Sequence, residues 1–275
     1  MLDLESLSGL PLTLDDAGQI GFGPGVVVEE TKTRLLDELT PVAMEPETCR
    51  GSRQAAYIMY NGVYRQSDAA RLSGVPMRYE LTLFPPLRLG REFVKTLGHL
   101  HSPEPKSGID YPEVCEVLVG TAHFFFQTLD PDGPSASAAF YTEVRAGEKI
   151  VIPPGLDHLT INPGPGPLLF SDVIALGVTG IYDRFKAAHG AAYFEILEDG
   201  QPRFVPNPAY RSLPPLGKRT LKSYPALRLA HHDPLYTAFV ESRGEMWPFL
   251  ADPRRFWPVF PDIDDELSFV RRRRR

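Results

Sequence analysis

The chain has 275 residues, 43% hydrophobic and 23% charged, a mix too apolar for a disordered protein and long enough for one large domain or two modest ones. Its 28 prolines and 23 glycines follow no repeat, which excludes a collagen-like chain and favours many short strands separated by turns. The net charge is −6 even with the basic run Arg271–Arg275 at its end, so the rest of the chain is more acidic still and a broad nucleic-acid footprint is excluded.

The opening MLDLESLSGL lacks the basic start of a secretory signal. Two cysteines, Cys49 and Cys115, make no disulfide framework and point to a reducing cytoplasm. Helical periodicity marks Thr31 to Leu39. Strands follow: Ala55–Tyr60, Arg78–Phe84, Val114–Val119, Ala122–Thr128, Phe140–Val144, Lys149–Ile152 and Leu168–Leu176, each β-branched or aromatic and bounded by turn residues. The apolar stretch from Val117 to Leu129 is too short to span a membrane. DPDGPS at 130–135 reads as a hairpin turn and NPGPGP at 162–167 as a rigid loop. A short helix is expected over Asp183–His189 and another over Pro234–Arg243. Strands this closely spaced, with almost no crossover helices, give an all-β antiparallel sandwich or barrel. We divide the chain into an N-terminal arm (1–50), a barrel (51–215) and a C-terminal extension (216–275). The arginine run reads as a solvated terminus.

The chemistry concentrates in Gly98-His99-Leu100-His101, then Glu113 and Gly120, and later Gly147, Pro153, Gly155, His158 and Asn162. In an extended strand residues i and i+2 share a face, so His99 and His101 offer two imidazoles to one point. Glu113 opens the next strand, which is expected to return as a hairpin beside them. Pro153-Pro154-Gly155 turns the chain and delivers His158 onto the following strand. Imidazoles with a carboxylate suit one divalent ion, Fe, Mn, Ni or Zn, and three histidines and a carboxylate leave positions open for substrate.

The string GEKIVIPPGLDHLTIN resembles the second motif of the cupin family, and the HxH…E segment its first. No glycine stands six residues before His99, and the gap before Glu113 is stretched. The stretch from Tyr57 to Tyr210 is similar to the cupin-type phosphoglucose isomerases, in Thr96-Leu97-Gly98-His99-Leu100-His101, Glu113-Val114-Cys115, Pro153–His158 and the tyrosines Tyr57 and Tyr60. LTLDDAGQI…KTRLLDEL resembles that family's lead-in and FEILEDGQPRFVPNPAYR its end, so the C-terminal extension lies outside the resemblance. The resemblance implies a cupin (double-stranded β-helix, or jelly-roll) barrel. It implies that His99, His101, Glu113 and His158 hold the metal, with Glu113 also the base. It implies that Tyr57, Thr82, Thr96, Gly98 and Tyr182 bind the sugar phosphate. The family's aromatic after Glu-Val is Cys115 here, its aromatic after Pro-Pro is Gly155, and a matching histidine is absent around Gly180-Ile181-Tyr182.

The expected activity is glucose-6-phosphate isomerase, an aldose–ketose interconversion through an enediolate, with a metal-assisted hydride shift as the rival route. A cupin dioxygenase using Fe(II), or a non-catalytic sugar-phosphate-binding cupin, are the alternatives. Barrel edges and an aromatic-rich wall imply a homodimer, with a small sugar phosphate as ligand and neither nucleic acid nor membrane as partner. The other polar candidates have plainer readings. His123 reads as a satisfied histidine, His189 as a helix-end charge, His231-His232 as pointing apart, and Cys115 as packing. Phe124, Phe125 and Phe126 read as barrel wall or interface, and Trp247, Phe256 and Trp257 as anchors of the extension.

Overall fold

The computed structural model describes residues 1–130 and 133–261. The arginine run, and Pro131 and Asp132 of the 130–135 turn, lie outside the described residues. Two antiparallel sheets face each other. The larger runs in the order Lys149–Ile152, Glu113–Val119, Leu168–Ala175, Met77–Phe84, Ala55–Arg65, Val26–Leu35. The smaller runs Asp157–Ile161, Thr121–Leu129, Ala136–Arg145, and then Gly217–Arg219, which joins in parallel. This is the cupin barrel that the motifs imply. Among the described residues no helix is long and apolar enough to cross a membrane.

Strand alternation decides what each face does. On the large sheet, Tyr57, Met59, Glu80, Thr82, Phe170, Asp172 and Glu113 point inward to one cavity. Their neighbours Met77, Tyr79, Leu81 and Leu83 are buried on the outer face. There Tyr79 meets Tyr236 edge-on at 5.3 Å. Tyr236 Oη accepts the Arg65 backbone N–H at 2.7 Å and donates to Asp68 at 2.7 Å. The C-terminal segment thus covers the outside of this sheet, with Trp247, Phe249, Phe256 and Phe260 buried and Trp257 packed against the core. Phe124 and Phe126 line the inner face of the small sheet, with Phe124 5.9 Å from Phe170 across the barrel. Phe125 points outward to Phe204 of the Tyr193–Glu198/Gln201–Pro206 hairpin.

Two expectations are corrected. The segment Thr31–Leu39 is not a helix: Val26–Leu35 is the edge strand of the large sheet, paired with Ala55–Arg65, and only Leu36–Leu39 turns helically. Its valines and threonines suit a strand, and Glu38 confines the helical turn by accepting the Leu35 N–H at 2.8 Å. Nor does the Glu113 strand hairpin beside the histidines. Leu100–His101 pairs with Gly180–Ile181, whereas Glu113–Val119 pairs with Lys149–Ile152 and Leu168–Ala175. The segment 102–112 therefore carries the chain from one layer to the other. The other two helices form over Asp183–Ala187 and Leu235–Ser242.

Candidate active site

His99 and His158 face each other across a two-way backbone bridge, each N–H donating to the other's carbonyl at 3.0 and 2.9 Å. His101 follows on the same extended run. The three rings lie 4.5 to 5.0 Å apart, and one ligand atom of each falls within 4.8 Å of the others. Glu113 enters from the opposite sheet, its Oε2 3.2 Å from His101 Nε2 and 3.9 Å from His158 Nε2. Carboxylate and imidazoles thus come from two layers that the barrel closure brings together.

Outer hydrogen bonds set the tautomers. His101 Nδ1 lies 2.8 Å from the Tyr111 carbonyl and His158 Nδ1 3.0 Å from the Leu156 carbonyl. A carbonyl only accepts, so each Nδ1 carries the hydrogen and each Nε2 presents a lone pair. Both Nε2 atoms are buried without a donor. A deprotonated Nε2 and a carboxylate oxygen 3.2 Å apart are two acceptors face to face, an arrangement completed by a cation between them. The residues therefore fit a divalent ion with nitrogen and oxygen ligands.

Burial, reinforced by the neighbouring imidazoles, holds His99 well below the ordinary histidine range and His158 down to about 4, so both stay neutral and ligand-competent. Burial pushes Glu113 up, but positive charge on its His101 and His158 side, with the Cys115 thiol, outweighs it and holds the carboxyl below its ordinary range; with both imidazoles neutral, that charge is a bound cation's to supply. Cys115 does more than pack: its thiol donates to Glu113 Oε1 at 3.1 Å.

These groups line a cavity of about 500 Å³ between the sheets. Tyr57, Thr82, Thr96 and Tyr182 line it too. Tyr57 Oη accepts the Leu97 N–H at 3.3 Å, and Thr96 Oγ1 accepts the Thr160 N–H at 3.0 Å. Tyr182 lies 5.5 Å from the His99 ring, with the Arg34 guanidinium 5.6 Å over its own ring. Gly98 stands outside the lining. Its φ is +81°, and a Cβ there would come within 2.8 Å of the Phe185 ring.

Sequence reasoning missed Lys32, Arg34, Arg78, Glu80 and Asp172, which also face the cavity. A readable signal existed for three of them. Arg78, Glu80 and Thr82 alternate with apolar residues in MRYELTLF, and Asp172 interrupts the apolar run LLFSDVIA. Burial, followed by the nearby charges of Glu113 and Glu80, pushes the Asp172 carboxyl well above its usual range. His123 is satisfied as expected, with Nδ1 2.8 Å from Glu195 on the outer hairpin. His231 and His232 meet edge-on at 3.7 Å and join no metal-competent cluster among the described residues.

A family model for glucose-6-phosphate isomerase (GPI) matches residues 33–209. The chain belongs to the glucose-6-phosphate isomerase family. The proteins named glucose-6-phosphate isomerase from Pyrococcus horikoshii and Thermococcus kodakarensis are 25% and 27% identical to it, over 70% and 73% of this chain and 96% and 97% of theirs. The one from Pyrococcus abyssi is 29% identical over 50% of this chain and 66% of its own. Among solved structures, an oxalate oxidase in complex with glycolate aligns with a TM-score of 0.30 and 19% identity, over 43% of this chain and 50% of that one. So shallow a likeness carries no argument. The family match and the histidine cluster coincide: all of His99, His101, Glu113 and His158 fall inside the matched span.

Proposed function

We propose that the protein is a metal-dependent glucose-6-phosphate isomerase that interconverts glucose 6-phosphate and fructose 6-phosphate, with Glu113 as the base. The observation that carries this reading is the meeting of three histidines, two of them tautomer-fixed, and one anionic carboxylate in a sugar-sized cavity of a family member. His99, His101, Glu113 and His158 would hold one divalent ion, Fe, Mn, Ni or Zn. When bound, that ion supplies Lewis-acid stabilisation of charge developing on the sugar oxygens.

The chain's own residues do the rest. Conversion of the aldose removes a proton from C2 and places one on C1, while the hydroxyl hydrogen passes from O2 to O1. Glu113 is held as a carboxylate and so is ready to take the C2 proton. Its Oε2 faces the histidines and its Oε1 receives the Cys115 thiol, so both oxygens are fixed in direction before substrate arrives. The same carboxyl returns the proton to C1 from the same face of the enediolate. Thr96, Thr82, Tyr57 and Tyr182 line the cavity and are assigned to the sugar phosphate, with Gly98 shaping the run that carries Thr96 and His99. We assign the reaction to a cytoplasmic homodimer whose catalytic unit is the barrel.

The test is a coupled assay of fructose 6-phosphate to glucose 6-phosphate with chelator-stripped protein, followed by Fe(II), Mn(II), Ni(II) or Zn(II) in turn. Activity should vanish on stripping and return with an added ion. Protein that binds metal but never isomerises the sugar would overturn the reading.

A further inference from the structure

Glu80, Arg78 and Asp172 face the cavity from the large sheet and have no part in the scheme above. Asp172 is 4% exposed, yet its Oδ2 has no hydrogen-bond partner among the described residues. Folded proteins rarely leave a buried carboxylate oxygen without a donor, because the desolvation is uncompensated. The register sets its neighbours at the cavity wall. Asp172 lies between Cys115 on one neighbouring strand and Glu80 on the other. Cys115 occupies the position where the resembling family carries an aromatic residue. The small Cys115 thiol turns towards Glu113 instead and gives Asp172 Oδ2 no partner.

The charge balance says what kind of partner is missing. Glu80 is already ion-paired with Arg78, and Lys32 and Arg34 face the same cavity. A cationic ligand would meet three basic side chains. A neutral hydroxyl meets none of that opposition, and because it both donates and accepts it partners Oδ2 in either protonation state. A phosphosugar with C1 and C2 at Glu113 and its phosphate near Thr96 and Tyr57 has its middle carbons left to bind. We propose that Asp172 is a specificity-determining residue that hydrogen-bonds a sugar hydroxyl at C3, C4 or C5, with the Arg78-held Glu80 beside it in the same subsite. This rests on the isomerase reading above.

The experiment is calorimetric binding of glucose 6-phosphate and its 3-deoxy, 4-deoxy and 5-deoxy analogues to the metal-loaded wild type, Asp172→Ala and Asp172→Asn. A buried polar group left without its partner corresponds to a loss of about 10- to 100-fold in affinity. Asp172→Ala should lose that for glucose 6-phosphate and lose nothing further for the one analogue lacking the recognised hydroxyl. Asp172→Asn, nearly isosteric, guards against misfolding of the alanine variant and should show the same selective pattern with a smaller loss. Equal losses for all four sugars, or no loss for any, would overturn the proposal. Because binding is the readout, a wild type that binds but fails to isomerise refutes the activity and leaves the Asp172 result standing.

Discussion

Gly98 gives the sharpest test of how the histidine run is held. Its φ of +81° lies in the left-handed region, and an added Cβ would stand 2.8 Å from Phe185 ring atoms. Phe185 is fully buried in the core. The backbone term for Gly98→Ala is about 1 kcal/mol. Overpacking against a buried ring adds roughly 1–3 kcal/mol. The sum, about 2–4 kcal/mol, corresponds to a melting midpoint roughly 4–7 °C lower for a chain of this size. Because His99 is next in sequence and bridged to His158, affinity for the activating ion should fall as well. Thermal unfolding and metal titration of Gly98→Ala are the assays, each repeated in a Phe185→Leu background. There the alanine should cost only the backbone term, so the two substitutions couple. An identical loss in both backgrounds would refute the steric part of the reasoning, and an unchanged melting midpoint all of it.

Glu113→Gln should lower isomerisation by about 10²- to 10⁴-fold while sugar phosphate still binds, as measured by steady-state kinetics beside calorimetry; near-wild-type turnover would remove Glu113 from the base role. Trp247→Ala empties a fully buried indole site and breaks the Nε1–H donation to the Leu227 carbonyl at 2.9 Å. It should cost about 3–5 kcal/mol in denaturant unfolding, with the KM of the folded enzyme unmoved. Glu116 makes a pH prediction. Burial, over the opposing pull of Lys149, pushes its carboxyl from the ordinary 4.5 up to about 7. The folded protein then binds that proton more tightly than the unfolded chain. The contribution is full below about pH 4.5 and is lost as pH rises towards 7, about 3 kcal/mol in all. Urea midpoints at pH 5 and 7.5 should therefore diverge in the wild type and converge in Glu116→Gln; parallel behaviour of the two proteins would dismiss the assignment.

Much of the barrel was legible because its strands carry their own signals. Met77–Phe84 and Thr121–Leu129 are dense in β-branched and aromatic residues and lie between Pro76 and Pro85 and between Gly120 and Asp130. The metal-competent histidines were legible too, since an HxH pair and a turn-delivered histidine need only local geometry. Pairing between distant strands was not. Nothing local says that Leu100–His101 seeks Gly180–Ile181 or that Glu113 crosses to the other sheet. The same blindness hid the meeting of Asp172 and Glu80, which become neighbours only through the register of Leu168–Ala175 on Met77–Phe84. At Val26–Leu35 local periodicity misled, because the spacing of Leu35, Leu36 and Leu39 belongs to a single turn after a strand whose partner lies beyond residue 50.

The segment after residue 215 has a consequence for anyone seeking a minimal enzyme. It is the outer skin of the large sheet: Tyr236 caps Tyr79, and the Leu235 N–H and the Ala230 carbonyl close over the Glu116–Lys149 ion pair. Cutting the chain at the end of the family match would strip that skin without touching a single residue of the cavity. The product would keep every group needed for chemistry, yet present a wet ion pair and a broad apolar sheet face to its neighbours. Trimming would therefore yield a protein that fails by aggregation before it fails by catalysis.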